Sequence, residues 1–285
     1  MAMKDQPIQQ GVVQRLSRRV QRLTAGNAGP MTGPGTNTYL VGERELAVVD
    51  PGPALPEHID ALLAACGDRL RWILVTHTHT DHSPAAQVLA RATGAQLLGQ
   101  TIADDGFQDT AFVPDRELTD GDRLEGADFT LRAIHTPGHV GNHFCLLLEE
   151  EGLLLTGDHI MQGSTVVIIP PGGDMQAYIA SLQCLLEHPV QVLAPGHGQL
   201  IFDPEREIRH LVAHRLQREA RVADALQELG EASLDELVPR VYAEVDPSLH
   251  PVARYSLWAH LIKLEREGIA AERKGRWHWS GQRLV

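Results

Sequence analysis

The sequence has no long hydrophobic run, and this absence excludes some classes of protein. Apolar runs such as residues 166–169 are far shorter than the roughly 20 apolar residues that a helix needs to cross a bilayer. Residues 1–20 carry scattered charges and glutamines where a signal peptide would have an apolar core. We therefore expect no transmembrane helix and a cytoplasmic location.

Cysteines and basic residues are also scarce. Cys66, Cys145 and Cys184 are odd in number and lie in apolar stretches, so we expect no disulfide framework and apolar packing instead. Residues 1–204 hold 12 Lys and Arg against 24 Asp and Glu, whereas residues 205–285 hold 13 of each. Because nucleic acids bind basic surfaces, this distribution disfavours a nucleic acid as the substrate and favours a small one.

The first part of the chain alternates short strands with a few helices. Residues 39–41 and 46–49 predict two strands, and the spacing of apolar residues predicts helices over 56–66 and 84–93. Five further strands are expected within "FTLRAIHT", "HFCLLLEE", "LLLTGDH", "TVVII" and "VQVLAPGHG", and one helix within "MQAYIASLQCLLEH". This pattern favours a layered α/β sandwich over a single parallel sheet.

The pattern changes near residues 202–206. Three amphipathic helices follow, and the second opens with Ser233 and Glu236, the residues of a capping box. Two short strands joined at Lys274-Gly275 come last. We therefore predict two domains, a larger α/β domain over 1–204 and a winged-helix domain over 205–285.

A stretch rich in metal-binding side chains directly follows the apolar run "WILV". It reads "THTHTDH" and contains His77, His79, Asp81 and His82. The histidines cannot all share one face of a strand, where only residues i and i+2 do, but a loop can divide the stretch into two pairs. Neutral imidazole and carboxylate are common zinc ligands. The spacing therefore predicts part of a site for two metals.

Further donors occupy equivalent places in the chain. His139, Asp158 and His197 each lie in a glycine-containing turn directly after an apolar strand. A lone histidine is more often a surface or hydrogen-bonded residue than a ligand, but the repeated placement favours a shared site. For the neighbouring His135 and His159 we expect hydrogen bonds in or near these loops, and for His143 the sequence leaves a substrate-facing position open.

Taken together, these motifs resemble those of the metallo-β-lactamase superfamily over about residues 30–200. The resemblance implies a four-layered αββα sandwich with two metals. It assigns one metal to His77, His79 and His139, the other to Asp81, His82 and His197, and a bridging position to Asp158. Asp50 matches a residue that contacts a ligand, although a turn former before Pro-Gly explains it equally well.

The resemblance also implies a hydrolase. Two divalent metals that share a bridging water supply hydroxide near neutral pH, so no serine or cysteine nucleophile is needed, and the chain has no Gly-x-Ser-x-Gly motif. Asp81 and Asp158 are the expected catalytic carboxylates, with Asp81 as a proton acceptor. Zinc is the favoured metal, and His/Asp sites also take iron or manganese.

The substrate remains open between several classes. The bridging aspartate resembles that of the glyoxalase II branch, although residues 83–86 read Ser-Pro-Ala-Ala where glyoxalases commonly have two glycines. The whole chain resembles the group with a C-terminal winged helix, which includes acyl-carrier thioesterases and single-stranded RNA endonucleases. We favour a carboxylic ester or thioester, with RNA cleavage as the alternative and a ligand-sensing winged-helix regulator as a third hypothesis.

The C-terminal hairpin bears on this choice. Basic and aromatic residues lie at its turn and on its second strand: Arg273, Lys274, Arg276, Trp277 and Trp279. They fit a contact with single-stranded RNA, but a solvated turn with two core tryptophans is the favoured interpretation. A homodimer is also left open, and no membrane partner is expected.

Overall fold

The computed structural model describes residue 3 and residues 6–281. It divides into two compact units. The first comprises Met1–Thr136, Asn142–Thr165 and His188–Pro204, and the second comprises Pro137–Gly141, Val166–Glu187 and Glu205–Val285. The second unit therefore holds more than the predicted winged-helix range, and the domain boundary at residue 204 stays a prediction. No helix within the described ranges has both the length and the apolar character to span a membrane.

The first unit contains a seven-stranded sheet, in which β1 to β4 are antiparallel and β4 to β7 are parallel. Its strands are, in spatial order, β1 (Val13–Arg15), β2 (Val20–Thr24), β3 (Asn37–Val41), β4 (Leu46–Val49), β5 (Leu70–Leu74), β6 (Gln96–Gly99) and β7 (Arg116–Glu117). Parallel strands need crossover connections. Helices α1 (Pro56–Cys66) and α2 (Ala85–Thr93) form two of these, and a single 3-10 turn, Gly67–Arg69, follows α1.

A second sheet of five strands completes this unit, in the order β12-β11-β10-β9-β8. The strands are β8 (Arg123–Glu125), β9 (Thr130–His135), β10 (Phe144–Leu148), β11 (Leu153–Gly157) and β12 (Val192–Pro195). One hydrophobic core takes side chains from both sheets, so the sheets face each other. A second core joins the other face of the seven-stranded sheet to α1 and α2. The first unit thus has a helical layer on two packed sheets.

The second unit contains four helices and a small sheet, of order β13-β15-β14. Its elements are α3 (Met175–Leu185), α4 (Pro204–Leu229), β13 (Glu231–Ala232), α5 (Leu234–Val241), a 3-10 turn (Pro247–Leu249), α6 (His250–Arg266), β14 (Ala270–Arg273) and β15 (Arg276–Trp279). The predicted capping box is confirmed, since Ser233 and Glu236 each accept from the other's backbone N–H. The hairpin turn at Lys274-Gly275 is confirmed as well, and both residues have positive φ.

Two expectations about these elements are wrong. The stretch "TVVII" pairs with no strand in the described part of the chain. The carbonyl of Val166 accepts instead from Arg215, and that of Val167 is 2.9 Å from the Nδ1 of His139. Cys66 and Cys145 are buried as expected, whereas Cys184 is exposed because it lies on an outward face of α3.

Candidate metal centre

The histidine-rich stretch forms a tight turn directly after β5. The backbone N–H of His82 donates to the carbonyl of His79 at 3.0 Å, and Pro84 then leads into α2. This turn buries His82 completely and leaves the side chain of Asp81 partly exposed. The Nε2 of His77 and the Nδ1 of His79 lie 3.0 Å apart. The loop thus divides its donors into two pairs, as the spacing predicts.

Asp158 and His197 reach the same edge from the second sheet. They follow β11 and β12, which are parallel neighbours, so their loops begin side by side. The turns require glycine at two places. A Cβ on Gly157, which has φ 45°, would lie 2.5 Å from the Oγ1 of Thr76, and a Cβ on Gly196 would lie 2.9 Å from the Oδ1 of Asp158. Without side chains there, the two loops approach the histidine turn closely.

Four donor groups converge at this edge: Asp81, His82, Asp158 and His197 each place a ligand atom within 4.8 Å of the others. The Nε2 of His82 is 3.3 Å from the Oδ1 of Asp158 and 3.5 Å from the Oδ2 of Asp81. The Nε2 of His197 is 3.3 Å and 3.2 Å from the same two oxygens. All four come from the first unit, although they are spread over more than a hundred residues of sequence.

Buried hydrogen bonds orient the two histidines of this cluster. The Oδ2 of Asp50 lies 3.0 Å from the Nδ1 of His82, and the carbonyl of Gly35 lies 3.3 Å from the Nδ1 of His197. An acceptor at Nδ1 selects the tautomer with the proton on that nitrogen and directs Nε2 toward the cluster. The structure therefore places Asp50 against a candidate ligand, and its positive φ of 49° also makes it a turn residue.

The cluster fits a divalent cation. The Nε2 atoms of His82 and His197 are buried and make no well-aligned hydrogen bond with the described residues, although carboxylate oxygens lie 3.2 to 3.5 Å away. Buried polar atoms normally have a partner, so each such atom calls for an explanation. Two imidazole nitrogens and two carboxylates that point at a common centre form a donor set that zinc takes. A cation there would satisfy both nitrogens at once.

The charges of the cluster shift the pKa values of its members when no metal is bound. Burial alone lowers the pKa of His82, but the carboxylates of Asp81, Asp158 and Asp50 outweigh it and raise that pKa well above the ordinary value. The pKa of His197 rises to about 10, because Asp158 outweighs its burial. Burial raises the pKa of Asp158, but His197 and His82 lower it well below the ordinary value. A nearby positive charge stabilises the ionised form of these carboxylates, and a bound metal ion would act in the same way.

His77 has a different environment. It is fully buried, and burial together with the neighbouring His82, His79 and His143 holds its pKa well below the ordinary value. Its Nδ1 lies 3.0 Å from the hydroxyl of Thr76. A neutral imidazole is the form that binds metal. His77 is therefore ready to act as a ligand near neutral pH.

His139 belongs to the second unit, in the segment Pro137–Gly141. Its Nδ1 lies 2.9 Å from the carbonyl of Val167, and the side chain is partly buried. The bond to the carbonyl leaves Nε2 as its ligand atom. The role of His139 as the third ligand beside His77 and His79 stays a prediction.

The sequence did not single out two residues that hold the centre. Asn37 donates to the carbonyls of Pro195 and Gly198 at 3.0 and 2.8 Å, and thereby fixes the loop of His197. Thr76 donates to Asp50 through its N–H at 2.7 Å and its hydroxyl at 2.8 Å. The stretch "GPGTNTYLVG" contains Asn37, but nothing local marks a partner so distant in sequence.

Three further histidines lie near the candidate ligands in sequence, and they differ in how deeply they are buried. His143 is fully buried, with its Nδ1 2.9 Å from the hydroxyl of Thr136 and its ring 5.2 Å from that of His77. It therefore lies behind a candidate ligand, which argues against a substrate-facing position. His159 is also buried, with its ring 5.7 Å from that of His143. His135 is partly buried, and its ring contacts Phe144.

The hairpin of the winged helix is mostly engaged in its own fold. Trp277 is only 4% exposed and belongs to the core of the second unit, against which Trp279 is packed. Arg276 forms ion pairs with Glu231 and Glu236. A buried indole cannot stack on a base without unfolding its surroundings. These contacts support the interpretation of a folded wing with core tryptophans.

The sequence is similar to known protein families and known proteins over most of its length. The family model of the metallo-beta-lactamase superfamily matches residues 31–197, and that of the beta-lactamase associated winged helix domain matches residues 233–277. A lactamase-like protein of Emericella nidulans is 33% identical over 95% of this chain and 91% of its own length. An atrochrysone carboxyl ACP thioesterase of Aspergillus chevalieri is 33% identical over 95% of this chain and 90% of its own length.

The fold has a counterpart among solved structures as well. A metallo-beta-lactamase family protein of Thermus thermophilus superimposes with a TM-score of 0.77 at 23% identity. The match covers 93% of this chain and 100% of that protein's chain. The predicted fold class, an α/β sandwich followed by a winged helix, is therefore confirmed.

Proposed function

Because this chain belongs to the metallo-beta-lactamase superfamily, a family of hydrolases, we propose that it is a dinuclear metal-dependent hydrolase of acyl thioesters. The observation that carries the proposal is the convergence of Asp81, His82, Asp158 and His197. In the proposed centre these would hold one metal, His77, His79 and His139 would hold the other, and Asp158 would be shared. Zinc is the favoured metal, with iron or manganese as alternatives for this donor set.

The two carboxylates of the proposed centre have different tasks in this hydrolysis. When bound, two divalent cations would supply an activated water near neutral pH and polarise the acyl carbonyl. The side chain of Asp81 is 28% exposed, against 12% for Asp158, so Asp81 is the carboxylate that solvent reaches more readily. It is placed to accept the proton of the attacking water. Asp158, which is more deeply buried, holds the centre together.

The surroundings of the ligands keep this geometry fixed. Asp50 holds His82, and the carbonyl of Gly35 holds His197. Asn37 ties the loop of His197 to β3. Residues that orient metal ligands contribute about 10- to 100-fold to metal affinity or activity. We therefore expect these positions to affect hydrolysis without touching the substrate.

Two observations support an acyl thioester as the substrate class. The Aspergillus chevalieri relative, which this chain matches over nearly its whole length, is named as an acyl-carrier-protein thioesterase. In addition, Phe107 is 45% exposed, and its ring centroid lies 6.3 Å from that of His79. An exposed aromatic side chain next to a catalytic centre offers apolar surface for an acyl group.

The alternative of RNA cleavage has less support. Residues 1–204, which include the whole first unit, are strongly acidic, with 24 Asp and Glu against 12 Lys and Arg. Such a surface repels a polyanion. The wing offers little in compensation, because Trp277 is buried and Arg276 is already paired.

A paired assay tests the proposal. Metal-loaded wild type, Asp158→Ala and the control Asp60→Ala would be given a panel of acyl thioesters and a labelled single-stranded RNA. Asp60 is exposed on α1, so its variant controls for the loss of a carboxylate. We expect thioester turnover in the wild type and the control and none in Asp158→Ala. RNA cleavage that depends on Asp158, without thioester turnover, would refute the proposed substrate.

A further inference from the structure

We propose that Arg215, on the long helix α4, is a positioning residue for the metal ligand His139. Every contact on which this inference depends lies within the second unit. The inference rests on the ligand role that the proposed function gives to His139, and not on the identity of the substrate.

His139 is held by the backbone around it. Its Nδ1 lies 2.9 Å from the carbonyl of Val167, which fixes the plane of the ring. The preceding residues are fixed as well, because the hydroxyl of Ser181 donates to the carbonyl of Pro137 at 2.8 Å. A Cβ on Gly138 would lie 2.3 Å from the Cα of Tyr178. The loop of His139 thus lies directly against α3, with no room to shift toward it.

The carbonyl of Val167, which contacts His139, does not belong to a sheet. Val166 and Val167 lie in a stretch that pairs with no strand in the described part of the chain. The Nη2 of Arg215 instead donates to the carbonyl of Val166 at 2.6 Å. The carbonyl that Arg215 binds and the carbonyl that His139 contacts therefore belong to consecutive residues. A charged donor to a buried carbonyl is among the stronger hydrogen bonds in a protein.

Arg215 also contacts the other support of the loop. It is only 3% exposed, and its guanidinium lies over the ring of Tyr178 at 5.1 Å from the centroid. Tyr178 is the residue of α3 against which Gly138 is packed. A single side chain therefore fixes both the acceptor of His139 and the helix under its loop. Loss of that side chain would let the imidazole turn away from the metal.

The chain offers a matched control one turn further along α4. Arg218 is also buried, at 8% exposed, and its guanidinium lies over the ring of Tyr242 at 4.2 Å. It also donates to a backbone carbonyl, that of Val241. Arg218 therefore repeats these two contacts of Arg215, with partners in α5 and the turn after it, and it also pairs with Glu244 at 2.7 Å. Substitution of Arg218 removes the same kind of contact without loosening the support of His139.

The experiment titrates metal-free wild type, Arg215→Met and Arg218→Met with Co²⁺, and follows both binding steps by calorimetry and by the visible absorption of the bound ion. In Arg215→Met we expect one of the two steps to weaken about 10- to 100-fold with a changed absorption spectrum, and the other step to stay as in the wild type. In Arg218→Met we expect both steps and the spectrum to be unchanged. Equal weakening in both variants, or no weakening in a folded Arg215→Met, would overturn the inference.

A double-mutant cycle removes the remaining ambiguity. If Arg215 acts through His139, Arg215→Met will have no further effect on Co²⁺ binding in a His139→Ala background; a full additional loss would contradict the inference. Should Arg215→Met not fold, Arg215→Lys keeps the charge but lacks the planar fork, and we expect a smaller loss on the same step. Its binding of Co²⁺ as in the wild type would count against the inference.

The outcome is distinguishable from a failure of the proposed function. A wild type that binds two Co²⁺ ions but cleaves no thioester would refute the proposed substrate and leave this test intact. A wild type that binds no Co²⁺ would refute the ligand assignment itself.

Discussion

Asp50→Asn tests whether a residue that contacts a ligand, but not the substrate, controls the metal centre. Asp50 is 2% exposed, and its Oδ2 faces two donors, the hydroxyl of Thr76 at 2.8 Å and the Nδ1 of His82 at 3.0 Å. Asparagine would put an NH2 group either against these donors or, after a flip, against the N–H of Thr76. It keeps the size of the side chain and tolerates the φ of 49° at this position.

The expected loss follows from this change. With the NH2 group against these donors, His82 would lose its acceptor and its preferred tautomer, and after a flip it would face a neutral amide oxygen in place of a carboxylate. Loss of such a contact typically costs about 10- to 100-fold in metal affinity, or about 1.4 to 2.8 kcal/mol. An opposing effect exists, since Asp50 is one of the carboxylates that raise the pKa of His82. Its removal would weaken the competition of protons with the metal. Titrations at two pH values separate the two effects.

The assay is a Zn²⁺ titration of the metal-free protein against a chromophoric chelator, with Asp128→Asn as the control. Asp128 also accepts two hydrogen bonds, from the N–H groups of Glu43 and Arg44 at 3.0 and 3.3 Å, but contacts no candidate ligand. We expect the affinity of one site to fall in Asp50→Asn and neither site to change in Asp128→Asn. An unchanged affinity at both pH values, in a protein that remains folded, would refute the orientation argument.

Three other predictions follow from the site. His79→Ala will abolish turnover and lower the metal content while circular dichroism stays as in the wild type, because His79 lies on a loop; full activity would refute the ligand set. Gly157→Ala will lower the free energy of unfolding of the metal-free protein by about 2 to 4 kcal/mol, because its Cβ would overlap Thr76 and the φ is left-handed; a urea titration without a shift would contradict this. Metal uptake at pH 7.5 will release at least about one proton, because the metal displaces the proton that the raised pKa of His197, about 10, retains. Affinity will therefore increase with pH, and calorimetric enthalpies independent of the buffer would show that no proton is released.

Local patterns in the sequence predicted many of the elements. The helix predicted over 84–93 is confirmed as Ala85–Thr93, with Pro84 at its N-cap and Gly94 in the left-handed conformation at its end. The capping box at Ser233 is confirmed as well. Such features depend on a few neighbouring residues, whose sterics and hydrogen bonds act within one or two turns of chain. They can therefore be recognised without knowledge of the fold.

Patterns that depend on distant partners were less informative. The stretch 165–169 predicted a strand, but the carbonyl of Val166 accepts from Arg215 and that of Ile169 from the N–H of Gly173, and neither from a neighbouring strand. Cys184 was expected to be buried and is exposed. β-Propensity describes a fit to a half-buried sheet surface, and it cannot specify whether a partner strand exists.

Donor type and spacing are local properties, so the fold class and the chemistry of the candidate ligands can be inferred from the sequence. The role of Asp50 cannot, since turn formation and contact with His82 are compatible with the same sequence. The tertiary structure also shows that Asn37 holds a loop 161 residues further along the chain, through its bond to the carbonyl of Gly198. Contacts of this kind follow from strand order and from the close approach that glycines allow, and both are properties of the assembled sheets.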